Sequence, residues 1–186
     1  MLTVKERGET VATWRAVMVT VMETLAGWVP TTPEMEAKLV FGAHIWDTAQ
    51  HADALGKRTY ELRLPLQFSQ APVSAYGELL REMAGITDTR QRIAAMYEVM
   101  LPALTARFRS YVARTDTLLD APTVRIVERI IADQTRMMRE GQELLKEVPA
   151  LQLGDPAWTQ ALAGREAAIE PIVEPRLREP VVASAS

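Results

Sequence analysis

The stretch that decides the fold is LVFGAHIWDTAQHADAL, residues 39–55, which carries both histidines of the chain. At 3.6 residues per turn, His44, Asp47 and His51 fall on one face of a helix. Two imidazoles and a carboxylate on one side of a mostly apolar helix need polar partners or a ligand, because unpaired buried polar groups are costly. The spacing therefore predicts a long helix with a polar site near its centre.

Prolines and apolar spacing predict further helices on both sides of this stretch. Thr32 is expected to cap the second helix, Asp88 to cap the third long helix, and Pro102 to kink that helix. The predicted long helices cover residues 8–29, 33–63, 89–114 and 121–147, and the short ones cover residues 73–84 and 156–169. Four long helices favour an all-α four-helix bundle. We expect residues 1–150 to form the bundle, with residues 151–186 adding the last short helix and a Pro-rich tail that packs on it or is partly mobile.

The composition excludes several classes of function. The chain has 186 residues, no cysteine and a net charge of −3. Without cysteine there is no disulfide or thiolate chemistry, and without a basic surplus nucleic acid is not an expected partner. No window resembles a membrane span of about 18 uncharged apolar residues, so no membrane partner is expected. The first residues, MLTVKERGET, lack the apolar core of a signal peptide, which favours a cytoplasmic protein.

Two segments carry a resemblance to a known family. WVPTTPEMEAKLVFGAHIWDTAQHADALGKRTYELR (28–63) and DAPTVRIVERIIADQTRMMREG (120–141) resemble the ferritin-like superfamily, in particular its small diiron-carboxylate members. The resemblance implies a ferritin-like four-helix bundle. It also implies that a Glu from the first and third helices and an acid-x-x-His pair from the second and fourth surround the metal.

The resemblance also implies which residues stand at the ligand positions. In the fourth helix Gln134 takes the place of the acid and Met137 the place of the histidine. A neutral amide and a soft thioether are poor ligands for iron, so the implied diiron site is degenerate. The remaining candidate metal ligands are Glu23, Asp47, His51 and Glu98.

Three hypotheses for function follow. In the first, the protein binds or transforms a small, largely apolar molecule between its helices, in specialised metabolism and without a cofactor. His44 or His51 then acts as acid or base, and Asp47 orients it. The expected lining of the cavity is aromatic, methionine-rich and amide-bearing: Trp14, Met18, Met22, Trp46, Met96, Tyr97, Met100, Gln134 and Met137. The second hypothesis keeps iron, in a mononuclear or dinuclear non-haem oxidase or oxygenase.

Two non-catalytic interpretations stay open beside these. The histidines can pair with carboxylates such as Glu23 and Glu98 in a buried polar network, with the methionines serving as ordinary core. In the third hypothesis the chain is a helical interaction module that forms a homodimer, which the ferritin-like resemblance also implies. The apolar residues of the tail then cross to the second copy: Ile172, Val173, Val181 and Val182.

Overall fold

The structure of the protein is a computed structural model that describes residues 2–174. Within this range the chain is all-helical and contains no strand, which confirms the predicted class. The helices are α1 (Val4–Trp28), α2 (Met35–Glu61), α3 (Ser74–Ala84), α4 (Thr89–Ile93), α5 (Leu101–Arg114), α6 (Ala121–Glu147) and α7 (Pro156–Ala167). None of these helices is both long and apolar enough to cross a membrane. The expectations for Val181 and Val182 lie outside the described residues. Ile172 is 4% exposed and lies in the chain's own core, with Val173 packed against that core, so the expectation that these two residues cross to a second copy is wrong.

The predicted helix starts are correct at one position and wrong at another. Asp88 caps α4 as predicted. Thr32 does not cap α2, whose N-cap is Glu34. The Thr32 hydroxyl is already engaged, because it donates to the Trp28 carbonyl at 2.9 Å and accepts from the Arg92 guanidinium at 2.8 Å.

The long helices pack around one apolar core. α1 lies against α2, α2 also lies against α6, and α6 packs on α5. The Trp14 ring meets the rings of Phe108 and Tyr111 edge-on, with each pair of centroids 4.8 Å apart. Edge-on aromatic pairs add about 0.5–1.5 kcal/mol to the stabilisation from burial. This core holds α2 between two neighbours, so one face of α2 is buried against α6.

A buried carboxylate fixes the end of this α2–α6 contact. Asp120 is fully buried and accepts hydrogen bonds from the Tyr111 hydroxyl at 2.5 Å and the Thr123 hydroxyl at 2.6 Å. The Arg58 guanidinium of α2 donates to the same carboxylate at 3.1 Å. The four side chains tie the C-terminal part of α2 to the end of α5 and the start of α6, and so help to set the register of α2 on α6.

A π-helical segment, Ala94–Met100, interrupts the long helix between α4 and α5. The N–H of Leu101 bonds to the carbonyl of Met96, five residues earlier. The segment lies just before Pro102, where the sequence predicts a kink. Short π segments are often found at functional sites, and this one contains Tyr97, which is only 2% exposed.

Candidate functional site

Three pairs of polar side chains join α2 to α6 near the middle of both helices. They are His44 Nε2 with Glu140 Oε2 at 2.7 Å, Asp47 Oδ2 with Arg136 Nη2 at 2.9 Å, and His51 Nε2 with Asp133 Oδ2 at 3.0 Å. We call these six residues the α2–α6 ladder. The predicted set His44, Asp47 and His51 therefore lies together at one interface.

The ladder follows from helical spacing on both partners. On α2 the three positions are separated by three and then four residues, and on α6 positions 133, 136 and 140 have the same separations. Both spacings keep side chains on one helix face. Because the pairs run in opposite order along the two helices, α2 and α6 are antiparallel. The two members of each pair therefore lie at the same height along the helix axes.

His44 is bonded through both ring nitrogens. Its Nδ1 lies 2.7 Å from the Tyr97 hydroxyl and its Nε2 lies 2.7 Å from the Glu140 carboxylate. An ionised carboxylate only accepts hydrogen bonds, so Nε2 carries the proton and donates to Glu140. In the neutral ring Nδ1 is then an acceptor, and the Tyr97 hydroxyl donates to it.

Burial sets the resting protonation of these three groups. It lowers the pKa of His44, and it raises the pKa of Tyr97 well above its usual value, with the Glu140 charge adding to the rise. Burial also opposes ionisation of Glu140, but hydrogen bonds from His44 and Arg136 outweigh it and hold the Glu140 pKa below its usual value. The resting state is a neutral phenol, a neutral imidazole and a carboxylate.

The three groups lead from the core toward solvent. Tyr97 and His44 are buried, whereas the Glu140 side chain is 32% exposed. We call this line the Tyr97–His44–Glu140 relay. It is a hydrogen-bonded path along which a proton can move between the core phenol and a carboxylate that water reaches.

Gly141 gives the Tyr97 ring its place beside His44. A Cβ atom at Gly141 would lie 2.5 Å from Tyr97 Cγ, closer than real side chains approach. The absence of a side chain at this position on α6 lets the ring lie directly on the helix. The ring also stacks near Phe41, with centroids 6.4 Å apart.

Arg136 lies among three carboxylates of the ladder. Its guanidinium is 2.9 Å from Asp47, 3.2 Å from Glu140 and 3.5 Å from Asp133. Hydrogen bonding to Asp47 is the main cause that raises the Arg136 pKa, so this cation is permanent. The carboxylate that holds His44 is Glu140, and Asp47, expected to orient a histidine, is bound to Arg136 instead.

The His51–Asp133 pair has the same electrostatic character as the His44–Glu140 pair. His51 is 2% exposed, and burial lowers its pKa although the Asp133 carboxylate opposes this. The Asp133 pKa is held below its usual value because bonds and charge from His51 and Arg136 outweigh its partial burial. A buried histidine–carboxylate network is therefore present, but its carboxylates come from α6 and not from Glu23 or Glu98.

The predicted cavity-lining residues divide into three groups. One group is packed within the apolar core: Trp14, Met18, Met96, Tyr97, Met100 and Met137. Met22 is half-buried and Gln134 is buried, with its carbonyl oxygen accepting from the Thr105 hydroxyl at 2.8 Å. The expectation for Trp46 is wrong: its side chain is 68% exposed, because it lies about half a turn around α2 from His44.

The Gln134 amide nitrogen is buried and has no hydrogen-bond partner among residues 2–174. Exchanging the oxygen and nitrogen positions leaves the other amide atom unpaired, since Thr105 supplies one hydroxyl. A polar atom without a partner in an apolar core costs free energy unless a ligand or water meets it.

The residues implied as iron ligands do not meet at one point. Glu23 is exposed on α1, and Glu98 pairs with Arg90 at 2.9 Å. Asp47 and His51 belong to different pairs of the α2–α6 ladder, because Asp47 is bound to Arg136 and His51 is bound to Asp133. Among residues 2–174 no group of three or more His, Asp or Glu side chains is arranged to hold a metal ion. These residues therefore do not fit the iron site that the resemblance implies.

A groove of about 1280 Å³ lies elsewhere, between α1, α5 and residues 163–173. Trp14, Glu98 and Tyr111 contribute to its wall, and no ladder residue does. Glu98 thus faces this groove, away from the two histidines. The groove and the ladder are separate features of the described chain.

Three ladder residues were not among the sequence-based candidates: Asp133, Arg136 and Glu140. A signal for them exists, because they repeat on α6 the spacing of three and four residues seen on α2. When the order is reversed, each also offers the facing residue a hydrogen-bonding partner: a carboxylate for each histidine and an arginine for Asp47. The ferritin-like alignment instead directed attention to Gln134 and Met137 in the same segment.

Comparisons with known proteins add no relative. No protein-family model matches this sequence, and comparisons with curated proteins and with solved structures found no match. The ferritin-like relationship accordingly stays a prediction. Function is inferred from the geometry of the ladder and its surroundings.

Proposed function

We propose that the protein is a ferritin-like four-helix bundle with a degenerate diiron site, which binds or transforms a small, largely apolar molecule by acid–base chemistry. The helix arrangement supports the bundle, since α2 lies between α1 and α6 and α6 packs on α5. The long helix of residues 89–114, which includes α5, supplies the fourth member. Arg136 binds the carboxylates of Asp47 and Glu140 and offsets part of their charge, which supports chemistry without a metal.

One observation carries this proposal: the bonding of buried His44 to both Tyr97 and Glu140 at 2.7 Å. An imidazole held between a hydroxyl and a carboxylate is the arrangement by which enzymes accept and return a proton. The raised pKa of Tyr97 keeps its hydroxyl protonated and able to donate. The partly exposed Glu140 connects the group to solvent.

The chemistry follows from the resting state of the relay. When a ligand presents an acidic hydrogen to the Tyr97 oxygen, that oxygen takes the ligand's proton as its own proton passes to His44 Nδ1. The phenol is restored, the ligand becomes an anion, and His44 becomes an imidazolium whose charge Glu140 balances. The reverse transfer returns the proton.

The surroundings of Tyr97 indicate the class of ligand. Met96, Met100 and Met137 belong to the same apolar core as Tyr97, and methionines adapt to irregular apolar shapes. The buried amide nitrogen of Gln134, which has no hydrogen-bond partner among residues 2–174, is a further donor for an oxygen atom. A compact apolar molecule with a carbonyl, phenol or carboxyl oxygen suits these features.

The test compares two buried tyrosines that differ in their contacts. Tyr97 bonds to His44, whereas the hydroxyl of Tyr76 meets the sulfur of Met100 at 3.3 Å. Thermal shifts are measured with an alkylphenol, a cyclic ketone and a medium-chain carboxylic acid. We expect at least one compound to raise the Tm. Tyr97→Phe should weaken its binding about tenfold, the loss of one buried hydrogen bond, while Tyr76→Phe should not.

Two results would contradict the proposal. One is that none of the three compounds changes the Tm of the wild-type chain. The other is that the two tyrosine variants bind the active compound equally well. The alternative of a non-haem iron oxidase or oxygenase has weaker support, because the Asp47 carboxylate is bound to Arg136 and the Glu98 carboxylate is bound to Arg90.

A further inference from the structure

Two polar groups within the apolar core offer a ligand opposite kinds of hydrogen bond. The Tyr97 hydroxyl donates its hydrogen to His44 Nδ1 at 2.7 Å, so toward any other partner the Tyr97 oxygen is an acceptor. The Gln134 carbonyl oxygen accepts from the Thr105 hydroxyl at 2.8 Å, which leaves the amide nitrogen as a donor with no partner among residues 2–174. A ligand that contacts both groups must therefore donate to Tyr97 and accept from Gln134.

Helix α6 sets the distance between these two groups. The Tyr97 ring lies on Gly141, since a Cβ atom there would lie 2.5 Å from Tyr97 Cγ. The Tyr97 hydroxyl bonds to His44, which also bonds to Glu140. Gln134 precedes Glu140 on α6 by six residues and Gly141 by seven. At a rise of 1.5 Å per residue, the two polar groups are about 9–10 Å apart along the helix.

Met137 lies on α6 between the two polar groups. Positions 134, 137 and 141 are separated by three and four residues, so they share one face of the helix. Met137 is fully buried in the same apolar core as Tyr97. Because an unbranched thioether side chain adapts its shape to its neighbours, Met137 can make room for the apolar middle of a ligand.

The Gln134 end of the site favours a neutral oxygen. Gln134 and Thr105 are uncharged, and they are only 1% and 2% exposed. A carboxylate placed beside them would lose its hydration without gaining a countercharge from either residue. A ketone, ester or amide carbonyl accepts the same hydrogen bond without that cost.

We propose that the ligand is an apolar molecule with a different oxygen at each end: an acidic O–H that donates to Tyr97, and a neutral carbonyl about 9 Å away that accepts from Gln134. This inference rests on the proposed function, because it concerns the same site, and it names the class of ligand. A phenol that carries a carbonyl on a short para chain is one such molecule. Gln134 then determines specificity, and the ligand binds in one orientation because its two ends cannot exchange.

The first test compares three ligands that share one skeleton and differ in their polar ends. (Para-hydroxyphenyl)butanone has both oxygens, para-butylphenol lacks the carbonyl, and phenylbutanone lacks the hydroxyl. Isothermal titration calorimetry with the full chain measures the three dissociation constants. We expect the first compound to bind about tenfold more tightly than either of the others, which is the contribution of one buried hydrogen bond.

Two variants assign each end of the ligand to its partner. Gln134→Met keeps the length of the side chain and removes the amide, so it should abolish the preference for (para-hydroxyphenyl)butanone over para-butylphenol. Tyr97→Phe should abolish the preference for the same compound over phenylbutanone. Tyr76→Phe removes a buried hydroxyl that meets the Met100 sulfur, and as the matched control it should show both preferences. Circular dichroism should show equal helicity in the three variants.

The possible failures separate this inference from the proposed function. If para-butylphenol binds through Tyr97 but the added carbonyl gives no gain in affinity, the two-ended ligand is overturned and the proposed function stands. If the gain persists in Gln134→Met, Gln134 does not bind the carbonyl and the inference is overturned as well. If none of the three compounds binds the wild-type chain, both the inference and the proposed function are overturned.

Discussion

Replacing Gly141 by Ala tests whether the close contact between Tyr97 and α6 holds the relay together. The added Cβ would lie 2.5–2.9 Å from three Tyr97 atoms, and the ring cannot swing away easily because it is buried and bonded to His44. Overpacking costs about 1–3 kcal/mol. Loss of the Tyr97–His44 bond adds about 1 kcal/mol. The alanine gains back about 1 kcal/mol in helix propensity. We expect Gly141→Ala to lower the free energy of unfolding by about 1–3 kcal/mol.

Gly77→Ala in α3 is the matched control, because a Cβ there meets no atom of the described residues within 4 Å. It should raise the free energy of unfolding by about 0.4–1 kcal/mol, since only the helix propensity and the unfolded-chain entropy change. Urea unfolding followed by circular dichroism measures both variants. If Gly141→Ala were as stable as Gly77→Ala, the close packing of Tyr97 on α6 would be refuted.

Two further predictions concern the titrating and charged groups. Burial lowers the pKa of His44 and His51 in the folded chain, so as the pH falls the two histidines take up protons more readily in the unfolded chain. The stability that is present above pH 6.5 is therefore lost as the pH falls from 6.5 toward the lower pKa values of the folded chain. Urea unfolding at pH 7.5 and 5.5 measures how the free energy of unfolding changes with pH. We expect it to fall by at most about 1.4 kcal/mol per pH unit for each histidine, and by less in His51→Asn than in the wild-type chain. An equal fall in the variant and the wild type would contradict this prediction. Asp120→Ala leaves the Arg58 charge buried without its carboxylate and should cost about 3–5 kcal/mol. Exposed Glu82→Ala should cost far less, and equal losses would contradict the role of Asp120.

The sequence predicts most of the helices because their ends depend on local chemistry. Asp88 and Asp155 cap the helices that follow them through bonds to nearby backbone amides. Apolar spacing identifies the buried face, so His44 and His51 lie inside as predicted. Local sequence does not predict the role of Thr32, because its hydroxyl accepts a hydrogen bond from the guanidinium of Arg92, which is 60 residues away.

The sequence predicts the α2 residues of the site but not their partners on α6, for a physical reason. The spacing on α2 indicates that three polar side chains share a face, but not which helix faces them. The register of α2 on α6 depends on contacts such as Arg58 with Asp120, which are 62 residues apart. Trp46 shows a related error: composition suggested a binding role, whereas its position around α2 puts it on the surface.

The π segment is a second feature with little local signal. Pro102 predicts a disturbance of the helix, since it lacks an N–H. It does not predict that residues 94–100 widen into a π turn around Tyr97. The π turn depends on packing against α6, where the absence of a side chain at Gly141 leaves room for the Tyr97 ring.

The most direct test of the Tyr97–His44–Glu140 relay is nitrogen NMR of the His44 ring in the His51→Asn variant, which leaves a single histidine in the chain. We expect a ring whose pKa lies below 6.5 and whose neutral form is protonated at Nε2, with Nδ1 an acceptor whose signal moves in Tyr97→Phe. A ring protonated at Nδ1, or one that titrates with an ordinary pKa near 6.5, would contradict the Tyr97–His44–Glu140 relay.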